Sequence, residues 1–105
     1  MQFHQLQALQ KAAAEAGPGY LEFLRVPDLS MGLYSLEAGS KDPQQPHNED
    51  EVYWVLKGRA KLQVGEESLD VAEGAIIYVP AQAPHKFFAI REDLQVLVFF
   101  APAES

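Results

Sequence analysis

The chain of 105 residues has no cysteine, which excludes disulfides and thiolate metal sites and permits a reducing compartment. It is poor in basic residues, with eight Lys and Arg against fifteen Asp and Glu and a formal net charge of -7. No basic stripe is available to neutralise phosphates, which argues against nucleic acid as a partner. The same sign of charge disfavours an anionic membrane surface. No apolar run approaches the ~18 residues of a membrane span. The start, Met1-Gln2-Phe3-His4, lacks a basic segment leading into an apolar one. No secretion signal is therefore expected, and the expected location is cytoplasmic. There is no repeat of fixed period and no low-complexity stretch.

Hydrophobic residues make up 48% of the chain, which is enough for a core and argues against disorder. The length suits one domain, residues 1–105. Phe3, Leu6, Leu9 and Ala13 recur at helical spacing, and Ala12 to Ala14 raise helix propensity. A helix over residues 3–16 is predicted, stopped by Gly17-Pro18-Gly19, so that residues 1–17 form a helix and its cap. Residues 20–101 read as short strands separated by turns. These are 20–26, 29–36, 51–57, 60–64, 68–71, 75–79, 85–90 and 95–101. Gly58-Arg59 is expected to be a hairpin turn, and Arg91-Glu92-Asp93 a charged turn. Strands every 8 to 12 residues with almost no helix predict an all-β sandwich or small antiparallel barrel.

Alternate residues of a strand share a face. Gln45, His47 and Glu51 are all odd-numbered, and Glu51 opens the strongest strand, Glu51 to Lys57. If the preceding segment is extended, the three point to one side. His85 opens another strand behind Pro84. Two imidazoles and a carboxylate brought together at two strand starts form a platform for a divalent ion with open positions. A lone histidine is more often an ordinary surface residue, and His4 on the polar flank of the helix reads that way.

The spacing of these residues resembles the cupin superfamily. Gly39, Gln45, His47, Glu51 and Gly58 match its first motif, and Gly74, Pro80 and His85 its second. The resemblance spans about residues 29–100 and implies a jelly-roll β-barrel. It also implies that His47, Glu51 and His85 are metal ligands. Gln45 stands where the family has its first histidine, Gln82 where it has a turn glycine, and Ala89 where it has an asparagine. An amide oxygen is a weaker donor than imidazole nitrogen and suits harder ions. Gln45 is thus expected to be either a weak fourth ligand or a bystander beside the other three. The ion remains open among Fe, Mn, Ni and Zn.

By the same parity, Tyr53, Val55 and Phe87 line a pocket, with Leu97 and Phe99 or their neighbours, Met31 and Leu33 closing it. Such a pocket suits a small apolar or aromatic substrate that chelates metal, and its lack of cations disfavours sugar phosphates. Glu51 is the expected ligand and proton acceptor, and Tyr53 the expected substrate-orienting residue. Val52, Trp54 and Leu56 face the other way. Their burial is expected against the helix or, as the resemblance favours, in a homodimer. The functional expectation is a metal-binding small cupin of dioxygenase type. The alternatives are a sensing barrel without turnover and a metal-free structural barrel.

Overall fold

The computed structural model describes residues 1–105 as one helix and six strands. The helix α1 is Leu6–Ala16, and the strands are β1 (Gly19–Val26), β2 (Leu29–Leu36), β3 (Asp50–Val64), β4 (Glu67–Ala72), β5 (Ile76–Val79) and β6 (His85–Ala101). α1 begins three residues later than its periodicity suggests. Gln5 makes no side-chain cap, and Phe3 is 75% exposed, so nothing holds a first turn in place. The helix ends where expected, with Gly17 at φ 86° returning its N–H to the Ala13 carbonyl.

All strand pairs are antiparallel, in the order β1-β2-β6-β3-β4, with β5 also on β3. β1 and β4 are free edges, so the sheet is open and does not close into a barrel. The expected turns at Gly58-Arg59 and Arg91-Asp93 are absent. Both stretches lie inside the long strands β3 and β6, which pair along nearly their whole lengths. The bend happens within the paired ribbon instead, through register shifts between Val55 and Lys61. Gly58 sits at that bend with φ 97°, and a Cβ there would collide with the Asp93 carbonyl and the Leu94 Cα. Charged residues at this point need not form a turn. Arg59 and Glu92 are register partners across the ribbon and form an exposed ion pair at 3.3 Å.

The bend folds the two halves of the ribbon onto one core. Tyr53 and Val55 precede it, Ala60 and Leu62 follow it, and all four belong to one buried cluster with Phe87, Val96 and Val98. Each such large apolar side chain contributes about 1.5–3 kcal/mol on full burial. Directly opposed residues share a face. The pairs Glu51 with Phe100, Tyr53 with Val98, and Val55 with Val96 therefore define the inner face, and Tyr34 joins it opposite Val96. Leu97, Phe99, Met31 and Leu33 lie on the other face. This places their neighbours Val98, Phe100 and Tyr34 inside.

α1 packs on β1 and β2, where Ala13 and Leu33 are buried outside the main cluster. It makes no extensive contact with β3 or β5. Trp54, Ile76 and Tyr78 remain 44%, 66% and 58% exposed on that outer face, so the helix covers only one end of the apolar stripe.

Candidate metal centre

Glu51 opens the inner row of β3, and His85 is the first residue of β6. Both are buried, and His85 Nε2 lies 3.1 Å from Glu51 Oε1. His47 comes from the segment before β3, and its ring stands 5.3 Å from that of His85. One potential ligand atom from each of His47, Glu51 and His85 falls within 4.8 Å of the others. The backbone ties these pieces together, since Gln82 donates its N–H to the His47 carbonyl at 2.7 Å. That bond joins the loop before His85 to the loop before Glu51.

The partners of each imidazole assign its proton. His85 Nδ1 is 2.8 Å from the Ala83 carbonyl, which can only accept, so this nitrogen carries the hydrogen. In the neutral ring Nε2 then presents a lone pair to Glu51. His47 Nδ1 is 3.0 Å from Glu104 Oε2, which fixes its tautomer in the same way. Glu51 Oε1 is fully buried and receives no hydrogen bond, although His85 Nε2 is close enough for one. In the neutral ring two lone pairs face each other here, and either a proton on Nε2 or a cation between the two atoms relieves that contact. Burial lowers the His85 pKa, but the Glu51 carboxylate and the Ala83 carbonyl outweigh it and the net shift is upward. The site therefore draws in positive charge, as a proton or as a cation. Imidazole and carboxylate donors of this kind, each steadied by a further partner, fit a divalent ion.

A sequence model for the cupin domain matches residues 32–100. This chain belongs to the cupin family. An uncharacterized protein of Streptomyces coelicolor is 50% identical to this cupin over 105 residues, covering 100% of both chains. Among solved structures, TT1209 from Thermus thermophilus aligns with a TM-score of 0.75 at 28% identity, covering 98% of this chain and 99% of the other. KdgF from a Halomonas species aligns at 0.72 and 20% identity, covering 79% of this chain and 76% of its own, a likeness of fold.

The structure of this cupin does not bring Gln45 to the cluster. Gln45 is exposed, and its neighbour Gln44 stands there instead. Gln44 Oε1 is 3.3 Å from Nε2 of both His47 and His85 and accepts from the Tyr53 hydroxyl at 3.0 Å. The parity that works along β3 does not extend to residues 41–47, which are in no strand. Pro43 and Pro46 favour polyproline-II backbone there, with three residues per turn, so that residues 44 and 47 share a side. Tyr53 is wholly buried and reaches Gln44 rather than open space. Its pKa is pushed well up, first by burial and then by the Glu51 charge, so it stays a neutral donor.

A cavity of about 200 Å³ opens beside the cluster. Tyr20, Tyr34, Pro43, Val98 and Phe100 form its apolar wall, and Gln44, His47, Glu51 and Glu104 its polar one. Gly32 helps to shape it, because a Cβ at that position would collide with the Tyr20 ring and hydroxyl. Sequence reasoning missed Tyr20 and Glu104. Glu104 follows the last strand, and no strand pattern reaches it. The fold anchors it by Glu104 N–H to Ser30 Oγ at 3.0 Å and by Arg25, which donates to its carbonyl. Burial raises the Glu104 pKa, partly offset by His47.

Proposed function

We propose that His47, Glu51 and His85 hold a divalent metal ion, and that this cupin is a metal-dependent oxidoreductase of dioxygenase type. Its substrate would be a small uncharged aromatic or apolar molecule bearing oxygen donors. The observation that carries this reading is the cluster of His47, Glu51 and His85 ligand atoms within 4.8 Å, in which the buried Glu51 Oε1 has no donor unless His85 Nε2 is protonated. Such an orphaned carboxylate oxygen costs stability in the protein alone, and a cation compensates for it.

The bound ion would supply Lewis acidity and, as iron, redox chemistry with dioxygen. The chain's own residues do the rest. Tyr20, Tyr34 and Phe100 give a substrate ring an aromatic wall and keep water from the polar side. No Lys or Arg lines the cavity, and two carboxylates do, so anionic substrates are repelled. Glu104 shares that lining with Glu51 and would accept a proton from a substrate hydroxyl.

The test begins with elemental analysis of untagged protein, followed by titration with Fe(II), Mn(II), Ni(II) and Zn(II). About one ion per chain is expected, with uptake abolished by His47→Ala. Protein that is purified metal-free and takes up none of the four overturns the reading. Oxygen consumption across enols, catechols and diketones then tests turnover, and uptake without consumption leaves a binding protein rather than an enzyme.

A further inference from the structure

The cluster contains a fourth potential donor, an amide oxygen, whose direction is imposed from behind. Asp42 lies two residues before Gln44 and accepts hydrogen bonds from four groups. They are the Tyr34 hydroxyl at 2.6 Å, the Phe87 N–H at 2.9 Å, the Gln44 N–H at 3.2 Å and Gln44 Nε2 at 2.7 Å. An ionised carboxylate can only accept. The end of the Gln44 amide facing Asp42 is therefore the NH₂ group, and the oxygen must face the cluster. The Tyr53 hydroxyl, donating to that oxygen at 3.0 Å, supports the same orientation from the other side.

We propose that Gln44, locked by Asp42, is the fourth donor of the metal site and biases it toward oxygen-preferring divalent ions. The assignment rests on the metal reading above and adds to it the residue and its selectivity. Donors about 2.0–2.2 Å from a common ion stand about 2.8–3.1 Å from their neighbours in an octahedral arrangement and about 3.3–3.6 Å in a tetrahedral one. The separations here are 3.3 Å from Gln44 Oε1 to each imidazole Nε2, and 3.1 Å from Glu51 Oε1 to His85 Nε2. With each Nδ1 engaged by an oxygen, both Nε2 atoms face the Gln44 oxygen, an arrangement that a shared cation fits. Three of the four donors surround the ion through Nε2 or a carboxylate, and the fourth is a neutral amide. Replacing an imidazole by an amide oxygen weakens the hold on Ni(II) and Zn(II) more than on Mn(II). Asp42 is a positioning residue: it touches the amide and not the ion.

The experiment measures Mn(II) and Ni(II) affinities of the full chain by calorimetry, with Mn(II) also followed by EPR. Gln44→Met keeps the side-chain length and removes the oxygen. It should weaken Mn(II) binding about tenfold or more. Asp42→Asn can donate as well as accept and so no longer fixes the orientation of the amide, and a smaller loss in the same direction is expected. Gln45→Ala should change nothing. Gln44→His should raise the preference for Ni(II) over Mn(II), a shift that a merely structural glutamine would not produce. Thermal melts and circular dichroism check the fold, and Gln44→Asn replaces Gln44→Met if the latter does not fold. Wild-type affinity retained within twofold in Gln44→Met, or an equal loss in Gln45→Ala, overturns the assignment alone. Wild-type protein that binds neither ion overturns the metal reading and this assignment together.

Discussion

Glu51 and His85 reach the centre from paired strands, whereas Asp42, Gln44, His47 and Glu104 reach it from segments outside any strand. On the first side, hydrogen bonding between β3 and β6 sets the register, and a period of two decides which side chains point inward. On the second, nothing local sets a period. Side chains there are aimed by individual bonds, such as Gln44 to Asp42, His47 to Glu104 and Glu104 to Ser30. Strand-borne donors should therefore respond to changes that disturb pairing, and loop-borne donors to the loss of single polar partners.

The largest expected effect is on the strand side. Gly58→Ala combines a positive φ with a collision against the β6 backbone, and unfolding free energy should fall by about 2–4 kcal/mol in a urea melt. Metal affinity should fall with it, because Glu51 and His85 depend on the ribbon that Gly58 bends. A loss below about 0.5 kcal/mol would mean that the bend is adaptable and that pairing does not pin these donors.

A smaller effect belongs to the tail. Glu104→Gln keeps the shape but removes the carboxylate facing His47 Nδ1, and metal affinity should drop about tenfold with little change in melting temperature. Equal affinity in wild type and variant would show that His47 needs no partner behind it.

The smallest effect is a gain. Gln82 at φ 69° and Ala89 at φ 47° hold left-handed backbone, which costs about 1–2 kcal/mol for a side chain bearing a Cβ. Gln82→Gly and Ala89→Gly should each raise stability by up to about 1 kcal/mol, since the added freedom of the unfolded chain offsets part of the relief. Destabilisation by Gln82→Gly would instead assign greater weight to its side-chain bond to Asn48 at 2.7 Å.

These two turn positions explain why the resemblance survives its departures. The family's glycine and asparagine are the residues that tolerate positive φ, and this chain keeps the backbone conformation without them. The motif was therefore legible as spacing even where the residue types differ. The same spacing left residue 45 open between ligand and bystander, because a count of residues cannot say which of two adjacent glutamines turns inward between Pro43 and Pro46. The β6 part of the pocket wall was legible to within one residue, whereas Tyr53, Val55 and Phe87 pack in the core and do not line the cavity. Parity grouped the alternating positions of β6 correctly, but only the pairing of Glu51 with Phe100 decided which set faces in.

By itself, the sequence determined the all-β class, the single helix and its stop at Gly17, the cupin motifs, and the nomination of His47, Glu51 and His85. Composition, periodicity and spacing are local properties that can be read along a chain. Only the tertiary structure decided that β3 and β6 run unbroken past their charged and glycine positions, that the sheet stays open, that Gln44 rather than Gln45 enters the site, and that Glu104 stands behind His47. Each of these depends on contacts between residues far apart in sequence or on the unpatterned backbone of a loop. Their energies are set by packing and by single hydrogen bonds, and neither leaves a period in the sequence.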